Sequence, residues 1–262
     1  MRDFLDLDAY PIDQPASKAY LKLVRRCQDD VVNRGMFNLD GLLLPSACQN
    51  AVDEISPMMQ TASFTHRREH NIYFLKNIPE LDQDHPALQK VETINHTVCA
   101  DQILGSIVVK VYEYEPLIRF IADIMQKPAL FTMPDPLARV NVMAYRNGEA
   151  LNWHFDRSEF TTTLLLQNPE AGGLFEYRSK LRSDSNPNYD GVARLLNNQD
   201  PERKSIQSCA GTLTVFQGKN TAHRVTPIEG NKERIVTVYS YYEEPGQFFS
   251  EEELLGFFGR IR

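Results

Sequence analysis

Along the first half of the chain, apolar residues recur at three- and four-residue intervals, the spacing that gives a helix one apolar face. This spacing predicts helices over residues 16–34, 45–60, 85–106 and 115–125. Gly35 can end the first helix, Pro45 can begin the second, and Pro57 predicts a break or bend in that second helix. A short apolar run, residues 36–44, predicts a strand. The first half is therefore predicted to be mainly helical with a few strands.

After Pro136 the pattern changes to short runs rich in β-branched and aromatic residues. Gly, Pro and Asn separate six such runs: residues 138–146, 160–168, 172–179, 211–218, 223–230 and 233–243. Short strands at this spacing are typical of a sandwich or jelly roll. Ser250, followed by glutamates, predicts a C-terminal helix. We therefore predict one α+β domain, 1–262, with a mainly helical part at 1–135, a jelly-roll core at 136–245 and a helix within 246–262.

The third and fourth of these runs are separated by a long polar stretch, residues 180–207. Loops of this length inside a compact domain are usually functional or disordered. The stretch contains Tyr189 and the apolar pair Leu195 and Leu196, which can anchor it. Two interpretations remain open at this point: a lid that closes over bound substrate and excludes water, or a mobile surface loop.

The composition, with 42% apolar and 24% charged residues, is that of an ordinary globular protein. A net charge of −7 argues against a nucleic-acid partner, because phosphate contacts need a basic surface. The chain has no run of about 18 apolar residues and no apolar leader segment, so no membrane partner is expected. Its four scattered cysteines form no C-x-x-C pair, which predicts free, mostly buried thiols in a cytoplasmic protein.

Candidate chemistry is concentrated in residues 152–160, at the end of a predicted strand. His154 and Asp156 are two residues apart, so their side chains project from the same face of a strand. His223 can supply a third ligand. Two histidines and one carboxylate form the facial triad of non-haem Fe(II) oxygenases, which leaves coordination positions open for a cosubstrate and O2. We therefore predict an iron site formed by His154, Asp156 and His223.

Several spaced features in this region match a known family. The pattern Y-x-x-G-x5-H-x-D, close to that of prolyl hydroxylases, is formed by Tyr145, Gly148, His154 and Asp156. Gly211 opens a run that leads to His223, and Arg234 follows that histidine by eleven residues. Residues 139–242 thus resemble the double-stranded β-helix core of Fe(II)- and 2-oxoglutarate-dependent oxygenases. Residues 154–179 look most like small enzymes that hydroxylate or halogenate free amino acids and related natural-product precursors.

The resemblance implies Fe(II) as the metal, 2-oxoglutarate and O2 as cosubstrates, and release of succinate and CO2. It places Arg234 on the distal carboxylate of 2-oxoglutarate, a role that suits the planar, bidentate guanidinium. Tyr145 and Arg139 are further candidates for this pocket. The alternatives are a surface ion pair of Arg234 with a nearby glutamate, and a purely structural core position for Tyr145.

Four further residues are candidates for contact with substrate: Asn141, Asn152, Arg157 and His70. Asn141 has the same parity on its strand as Tyr145, and Asn152 has the same parity as His154. Arg157 directly follows the carboxylate ligand Asp156 and can reach a substrate carboxylate or a neighbouring acid. His70 belongs to a basic stretch, residues 65–71, that could bind an anionic group.

Halogenases that the chain resembles have Gly or Ala in place of the iron carboxylate, whereas this chain has Asp156. Hydroxylation of a free amino acid or similar small metabolite is therefore predicted. A second interpretation is a hydroxylase of a peptide or protein side chain, which would need an open groove. A third is a cupin-like metal-binding protein without oxygenase activity. Arg234 argues against the third, because such a protein needs no clamp for a dicarboxylate.

Overall fold

Two antiparallel β-sheets, of seven and four strands, form the centre of the computed structural model, which describes residues 1–261. The helices are α1 (Lys18–Arg34), α2 (Pro45–Thr61), α3 (Ile107–Tyr112), α4 (Glu115–Met125), α5 (Tyr189–Leu196) and α6 (Glu251–Phe258). The strands are β1 (Met36–Leu39), β2 (Phe64–His70), β3 (Val91–Cys99), β4 (Phe131–Thr132), β5 (Val140–Tyr145), β6 (Leu151–His154), β7 (Thr161–Gln167), β8 (Ala171–Gly172), β9 (Phe175–Arg178), β10 (Lys204–Ile206), β11 (Leu213–Phe216), β12 (Ala222–Val225), β13 (Ile228–Glu229), β14 (Arg234–Tyr239) and β15 (Tyr241–Tyr242).

The larger sheet has the strand order β1-β11-β7-β14-β5-β3-β2, and the smaller sheet has the order β10-β9-β12-β6. Apolar side chains from the inner faces of both sheets meet between them, such as Leu165 and Val236 of the larger sheet and Val225 of the smaller. This is the predicted α+β fold with a jelly-roll core. Three strands of the mainly helical part, β1, β2 and β3, belong to the larger sheet, so that part completes the core sheet.

The outer face of the larger sheet carries the helices. Alternate residues of β5, namely Val140, Val142 and Ala144, are fully buried in one cluster with residues from α1, α2, α3 and α4. The intervening side chains, Met143 and Tyr145, belong to the cluster between the sheets. The two-residue alternation of a strand thus separates a structural face from an inner face available for chemistry.

Two helix boundaries follow the sequence signals. The Ser17 hydroxyl accepts a hydrogen bond from the Tyr20 N–H at 3.0 Å and caps α1, and Gly35 ends that helix with a left-handed φ of 74°. Helix α2, however, continues through Pro57 to Thr61, so of the predicted break or bend the break is wrong and the bend stays a prediction. Pro57 lies on the exposed side of the helix, where water can hydrogen-bond the carbonyl that the proline leaves without a donor.

Residues 85–106 do not form the predicted long helix. Apart from one short 3-10 turn at each end, this segment is β3, which pairs with β2 on one side and β5 on the other. Thr93, Asn95 and Thr97 are buried on its inner face, between the two sheets. Polar residues therefore occupy the buried face of a strand, and the remaining apolar residues only imitate helical spacing.

The stretch 180–207 is ordered into α5 and β10, which the sequence did not indicate. Val192 and Leu195 of α5 are fully buried in a cluster with Trp153 and Phe155, on the face of the smaller sheet that points away from the larger sheet. Helix α5 is therefore a support on the outside of the smaller sheet. A lid formed by the rest of residues 180–207 stays a prediction.

No helix within residues 1–261 is long and apolar enough to cross a membrane. The thiols of the four cysteines are free, as expected; three are buried and Cys209 is exposed.

Candidate metal centre

The facing ends of two strands in the smaller sheet bring two histidines together. His154 is the last residue of β6, and His223 lies directly opposite it on β12. Because side chains alternate along a strand, both imidazoles point between the sheets while Trp153 points outward. Asp156 follows, and its backbone N–H donates to the Gly218 carbonyl at 3.1 Å. The donor atoms of the two histidines and the aspartate lie within 4.8 Å of one another.

Backbone carbonyls orient both imidazoles. The Nδ1 of His154 lies 2.8 Å from the Asn152 carbonyl oxygen, and the Nδ1 of His223 lies 3.0 Å from that of Thr221. A carbonyl only accepts, so each Nδ1 carries the proton and each Nε2 keeps a free lone pair. The two Nε2 atoms lie 3.4 and 3.6 Å from the same oxygen, Oδ1 of Asp156. All three donors thus converge on one point.

The carboxylate of Asp156 is fixed through its other oxygen. The Thr161 hydroxyl donates to Oδ2 at 2.5 Å, which leaves Oδ1 directed at the imidazoles. Gly218 packs so closely that a Cβ at this position would lie 2.2 Å from Oδ2. Any residue other than glycine at position 218 would therefore displace the carboxylate.

The protonation states suit a divalent cation. Burial by itself would raise the pKa of Asp156, but the two imidazoles and the Thr161 hydroxyl outweigh burial and hold this pKa below its ordinary value. Burial, together with the neighbouring His154, lowers the pKa of His223 to about 4. At neutral pH the centre therefore offers an ionised carboxylate and an unprotonated His223, the forms that bind metal.

Two imidazole nitrogens and one carboxylate oxygen are the donor set of the facial triad, and their convergence fits Fe(II). Within residues 1–261, no other group of His, Cys, Asp and Glu side chains has this mutual proximity. The structure thus brings together the three ligands predicted from the sequence.

Deeper between the sheets, a buried cation lies next to a buried phenol. Arg234 opens β14 directly opposite Tyr145 on β5, and the two residues are 8% and 1% exposed. Around them the inner faces are apolar, with Leu165, Val225 and Val236 in the same cluster as Tyr145. Burial lowers the pKa of Arg234 and raises that of Tyr145 to about 12. The phenol therefore keeps its proton and can donate it in a hydrogen bond.

The guanidinium of Arg234 has no carboxylate within 4.0 Å in the described part of the chain, and the nearby Glu233 pairs with Arg146 instead. A surface ion pair, the alternative for Arg234, is thus not what the structure contains. A buried cation needs an anionic partner, and a carboxylate fits the guanidinium with two parallel hydrogen bonds. The pocket therefore fits the distal carboxylate of 2-oxoglutarate.

Arg139 does not belong to this pocket, and its predicted role must be corrected. It precedes β5, six residues before Tyr145, which places the two about 20 Å apart along the strand direction. Its guanidinium pairs with Glu113 and lies 5.5 Å from the ring of Tyr112. Asn141, by contrast, is buried on the inner face of β5, and its amide donates to the Leu137 carbonyl at 2.9 Å.

Two predicted substrate residues have structural partners, which corrects the prediction for His70 and leaves that for Asn152 a prediction. Both nitrogens of His70 are engaged, with the Asn71 carbonyl at 3.0 Å and the Thr93 hydroxyl at 2.9 Å. The Asn152 amide donates to the Glu92 carbonyl at 2.6 Å, which joins β6 to β3. His70 therefore has no ring nitrogen left for a substrate, whereas Oδ1 of Asn152 has no hydrogen-bond partner within residues 1–261.

Arg157 lies at the rim of the site. Its guanidinium pairs with Glu253 of α6 at 2.8 Å and lies 5.5 Å from the ring centre of Phe257. The side chain is 65% exposed. It remains a candidate for contact with a charged substrate group that arrives from solvent.

Among the residues that contact the centre, Thr161, Gly218 and Phe74 were not singled out from the sequence. Thr161 and Gly218 hold the carboxylate, and the ring of Phe74 meets that of His154 edge to face at 5.9 Å. Gly218 carried a weak signal, because a glycine directly after a strand often marks close approach of another group. The other two carried no sequence signal.

Comparisons with known proteins identify the family and the fold. A family model described as Halogenase D matches residues 21–248. A search of curated proteins found no match. Among solved structures, the chain shares its fold with the non-heme alpha ketoglutarate dependent epimerase SnoN from nogalamycin biosynthesis, at 13% identity and a TM-score of 0.57, with 85% of this chain and 83% of SnoN covered.

Two further structures are similar. HygX from Streptomyces hygroscopicus, solved with nickel and 2-oxoglutarate bound, has 12% identity and a TM-score of 0.57 over 87% of this chain and 89% of its own. A Pseudomonas putida prolyl-4-hydroxylase has 14% identity and a TM-score of 0.51 over 82% and 97%. Fold and site together are those of the Fe(II)- and 2-oxoglutarate-dependent oxygenases. The chain belongs to one family of this class, Halogenase D.

Proposed function

We propose that this protein is an Fe(II)- and 2-oxoglutarate-dependent hydroxylase of a free amino acid or a similar small metabolite. The observation that carries hydroxylation, within a family named for halogenation, is Asp156. Its carboxylate is oriented by Thr161 and Gly218 toward the two imidazoles. A carboxylate in this place occupies the coordination position that a halide would need. Three protein ligands favour transfer of oxygen over transfer of a halogen.

His154, Asp156 and His223 would hold Fe(II), and Arg234 with Tyr145 would bind the distal carboxylate of 2-oxoglutarate. When bound, the metal with 2-oxoglutarate and O2 supplies the oxidising power for an unactivated C–H bond, which no side chain can oxidise. The contribution of the chain is orientation and exclusion of water. The apolar residues around Arg234 keep that pocket dry, which strengthens its charge-assisted hydrogen bonds.

An anionic substrate group is supported by the rim of the site. Arg68 lies on β2 with its guanidinium 4.5 Å from the ring centre of Phe74, which in turn contacts His154. Arg67, its neighbour in sequence, pairs with Glu92, but no carboxylate within residues 1–261 lies within 4.0 Å of Arg68. Burial and the charge of Arg157 lower the pKa of Arg68. The charges of Arg68 and Arg157, which affect each other, favour a carboxylate, such as that of an amino acid.

The test is a screen of the twenty standard L-amino acids with Fe(II), 2-oxoglutarate and air. Succinate release and a mass gain of one oxygen in one amino acid are expected. The Asp156→Ala variant should lose both products, because it lacks one of three metal ligands. It should remain folded. Asp53→Ala, an exposed change on α2, is the matched control and should behave as the wild type. A gain of chlorine in the presence of chloride would assign halogenation instead.

A further inference from the structure

Phe74 has a backbone conformation that is strained for its residue type. Its φ is 57°, in the left-handed region, where a bulky side chain is an outlier. Within residues 1–261, the other non-glycine residues with positive φ are polar: Gln126, Lys180, Asn188 and Asn198. Such strain persists only where the surroundings enforce it, and it concentrates at functional sites.

The loop around Phe74 is built to hold this conformation. The buried Asn71 accepts hydrogen bonds at its Oδ1 from the N–H groups of Tyr73 and Leu75, at 3.1 and 3.2 Å. Its Nδ2 donates to the Leu75 carbonyl at 2.7 Å, and its own carbonyl accepts from the Phe74 N–H at 3.0 Å. Asn71 thus hydrogen-bonds the backbone of the loop on both sides of Phe74.

The same loop is attached to the residue between two of the proposed ligands. The Phe155 N–H donates to the Ile72 carbonyl at 3.2 Å, and the rings of Tyr73 and Phe155 stack at 5.5 Å. Because Phe155 lies between His154 and Asp156, the position of the loop is tied to that of the metal centre.

The ring of Phe74 stacks on that of His70 at 4.5 Å, meets that of His154 at 5.9 Å and has the Arg68 guanidinium 4.5 Å from its centre. With both its nitrogens engaged, His70 serves as a rigid backing for the ring. The ring therefore stands between the unpaired cation of the rim and a ligand of the centre.

We propose that Phe74 is a specificity-determining wall of the substrate site, which limits the width of any group that approaches the open side of the metal. A substrate with an anionic end at Arg68 would extend along this ring toward the centre. That path favours a slim, unbranched chain over a branched or ring-bearing one. The proposal deepens the proposed function and rests on the metal assignment, although not on turnover.

The wall is tested by ligand binding in the Co(II)-loaded protein without oxygen, followed through the Co(II) absorption bands. Azide is the narrow probe and 4-phenylimidazole the wide one. In Phe74→Ala, 4-phenylimidazole should bind about tenfold tighter or more than in wild type, whereas azide affinity should change less than about twofold. Leu75→Ala, in the same loop with a side chain that is 52% exposed, is the matched control and should match wild type for both probes.

Equal affinity of 4-phenylimidazole for wild type and Phe74→Ala would overturn the proposal. If Phe74→Ala fails to fold or to bind Co(II), Phe74→Leu replaces it, with tighter binding of 4-phenylimidazole still expected and unchanged binding again contradicting the wall. The experiment involves no hydroxylation. A failed amino acid screen therefore does not affect the binding result for Phe74→Ala. A failed binding test contradicts the role of Phe74 but not the proposed hydroxylase.

Discussion

At the scale of single residues, the metal centre depends on groups that never touch the metal. Gly218 leaves room for the carboxylate of Asp156, and the Thr161 hydroxyl selects which oxygen faces the imidazoles. The carbonyls behind each Nδ1 select the tautomer. Neighbouring residues that orient ligands in this way typically affect metal affinity 10- to 100-fold when they are changed.

Gly218→Ala should weaken metal binding by about 10- to 100-fold while the fold persists. The added Cβ would lie 2.2 Å from Oδ2 of Asp156, so the carboxylate must move. Titration with Co(II), followed by absorption, measures this affinity. Gly256→Ala is the control, because its Cβ would meet nothing within 4 Å and neither glycine has a positive φ. Wild-type affinity in Gly218→Ala would contradict the described packing.

Arg234→Ala should weaken binding of 2-oxoglutarate by about 2–5 kcal/mol, tens- to thousands-fold, because it removes one partner of a buried charge pair. Metal affinity should stay close to that of wild type. The measurement is an anaerobic titration of the Fe(II)-loaded protein, followed by the metal-to-ligand absorption band. Arg224→Ala, on the outer face of β12 and paired with Glu176, serves as the control. An unchanged titration would mean that another cation binds the cosubstrate.

At the scale of elements, the stretch 180–207 has the polar composition of a loop but contains a helix that supports the smaller sheet. Its apolar residues anchor α5 on the outside of the smaller sheet, behind the strands that carry His154 and His223. A support in this position keeps the two strands in register, since it covers their outer face. Bound ligands should accordingly leave the rate of limited proteolysis within α5 unchanged.

Leu195→Ala should lower the free energy of unfolding by about 2–5 kcal/mol, because a fully buried leucine leaves a cavity when it is truncated. Arg194→Ala, an exposed change on the same helix, should have an effect within about 0.5 kcal/mol. Urea denaturation of the two variants measures the difference. Equal midpoints would show that α5 carries little of the stability of the smaller sheet.

The prediction for β3 failed for an identifiable reason. Val91, Ile94 and Val98 are three and four residues apart, as on a helix, and the intervening threonines and asparagine lie on the inner face. A strand that lines a polar active site lacks the apolar alternation of an ordinary strand. Its content of β-branched residues was the signal that favoured a strand. Among the later strands, β5, β7, β9, β11, β12 and β14 correspond to predicted runs, whereas β10 was missed.

Local spacing predicted the centre itself better than its rim. His154 and Asp156 are close in sequence, His223 was the candidate for a third ligand, and the resemblance supplied the role of Arg234. The position of Arg139 could not be inferred, because parity along a strand gives the face of a residue but not its distance along the strand. Phe74 owes its place to the hydrogen bonds of Asn71, which spacing and hydrophobicity do not reveal.

At the scale of the whole molecule, stability and metal binding depend on the same buried imidazole. In the metal-free protein, burial and His154 lower the pKa of His223 to about 4, against an ordinary value of 6.5. Between these pH values the unfolded chain takes up a proton that the folded chain does not. Stability therefore falls as pH decreases from 6.5 toward 4, and above 6.5 this group contributes no pH dependence.

The chelator-treated protein should thus lose about 2 kcal/mol of unfolding free energy between pH 7 and pH 5 through this residue. His223→Gln should lose less over the same range, because it has no group to titrate there. Urea denaturation at the two pH values gives both figures. Parallel losses in wild type and His223→Gln would mean that His223 titrates normally in the folded state.

The rim of the site lies on elements that have few neighbours in the fold. Arg68 is on β2, an edge strand with a single neighbour, and Arg157 is held by α6. Two proposed ligands, His154 and His223, are by contrast buried on the paired strands β6 and β12, and α5 packs on the outer face of their sheet. Substitutions at the rim consequently disturb few contacts, whereas those at the centre disturb many. A lineage built on this scaffold is free to diversify in substrate while it inherits one unchanged oxidation centre.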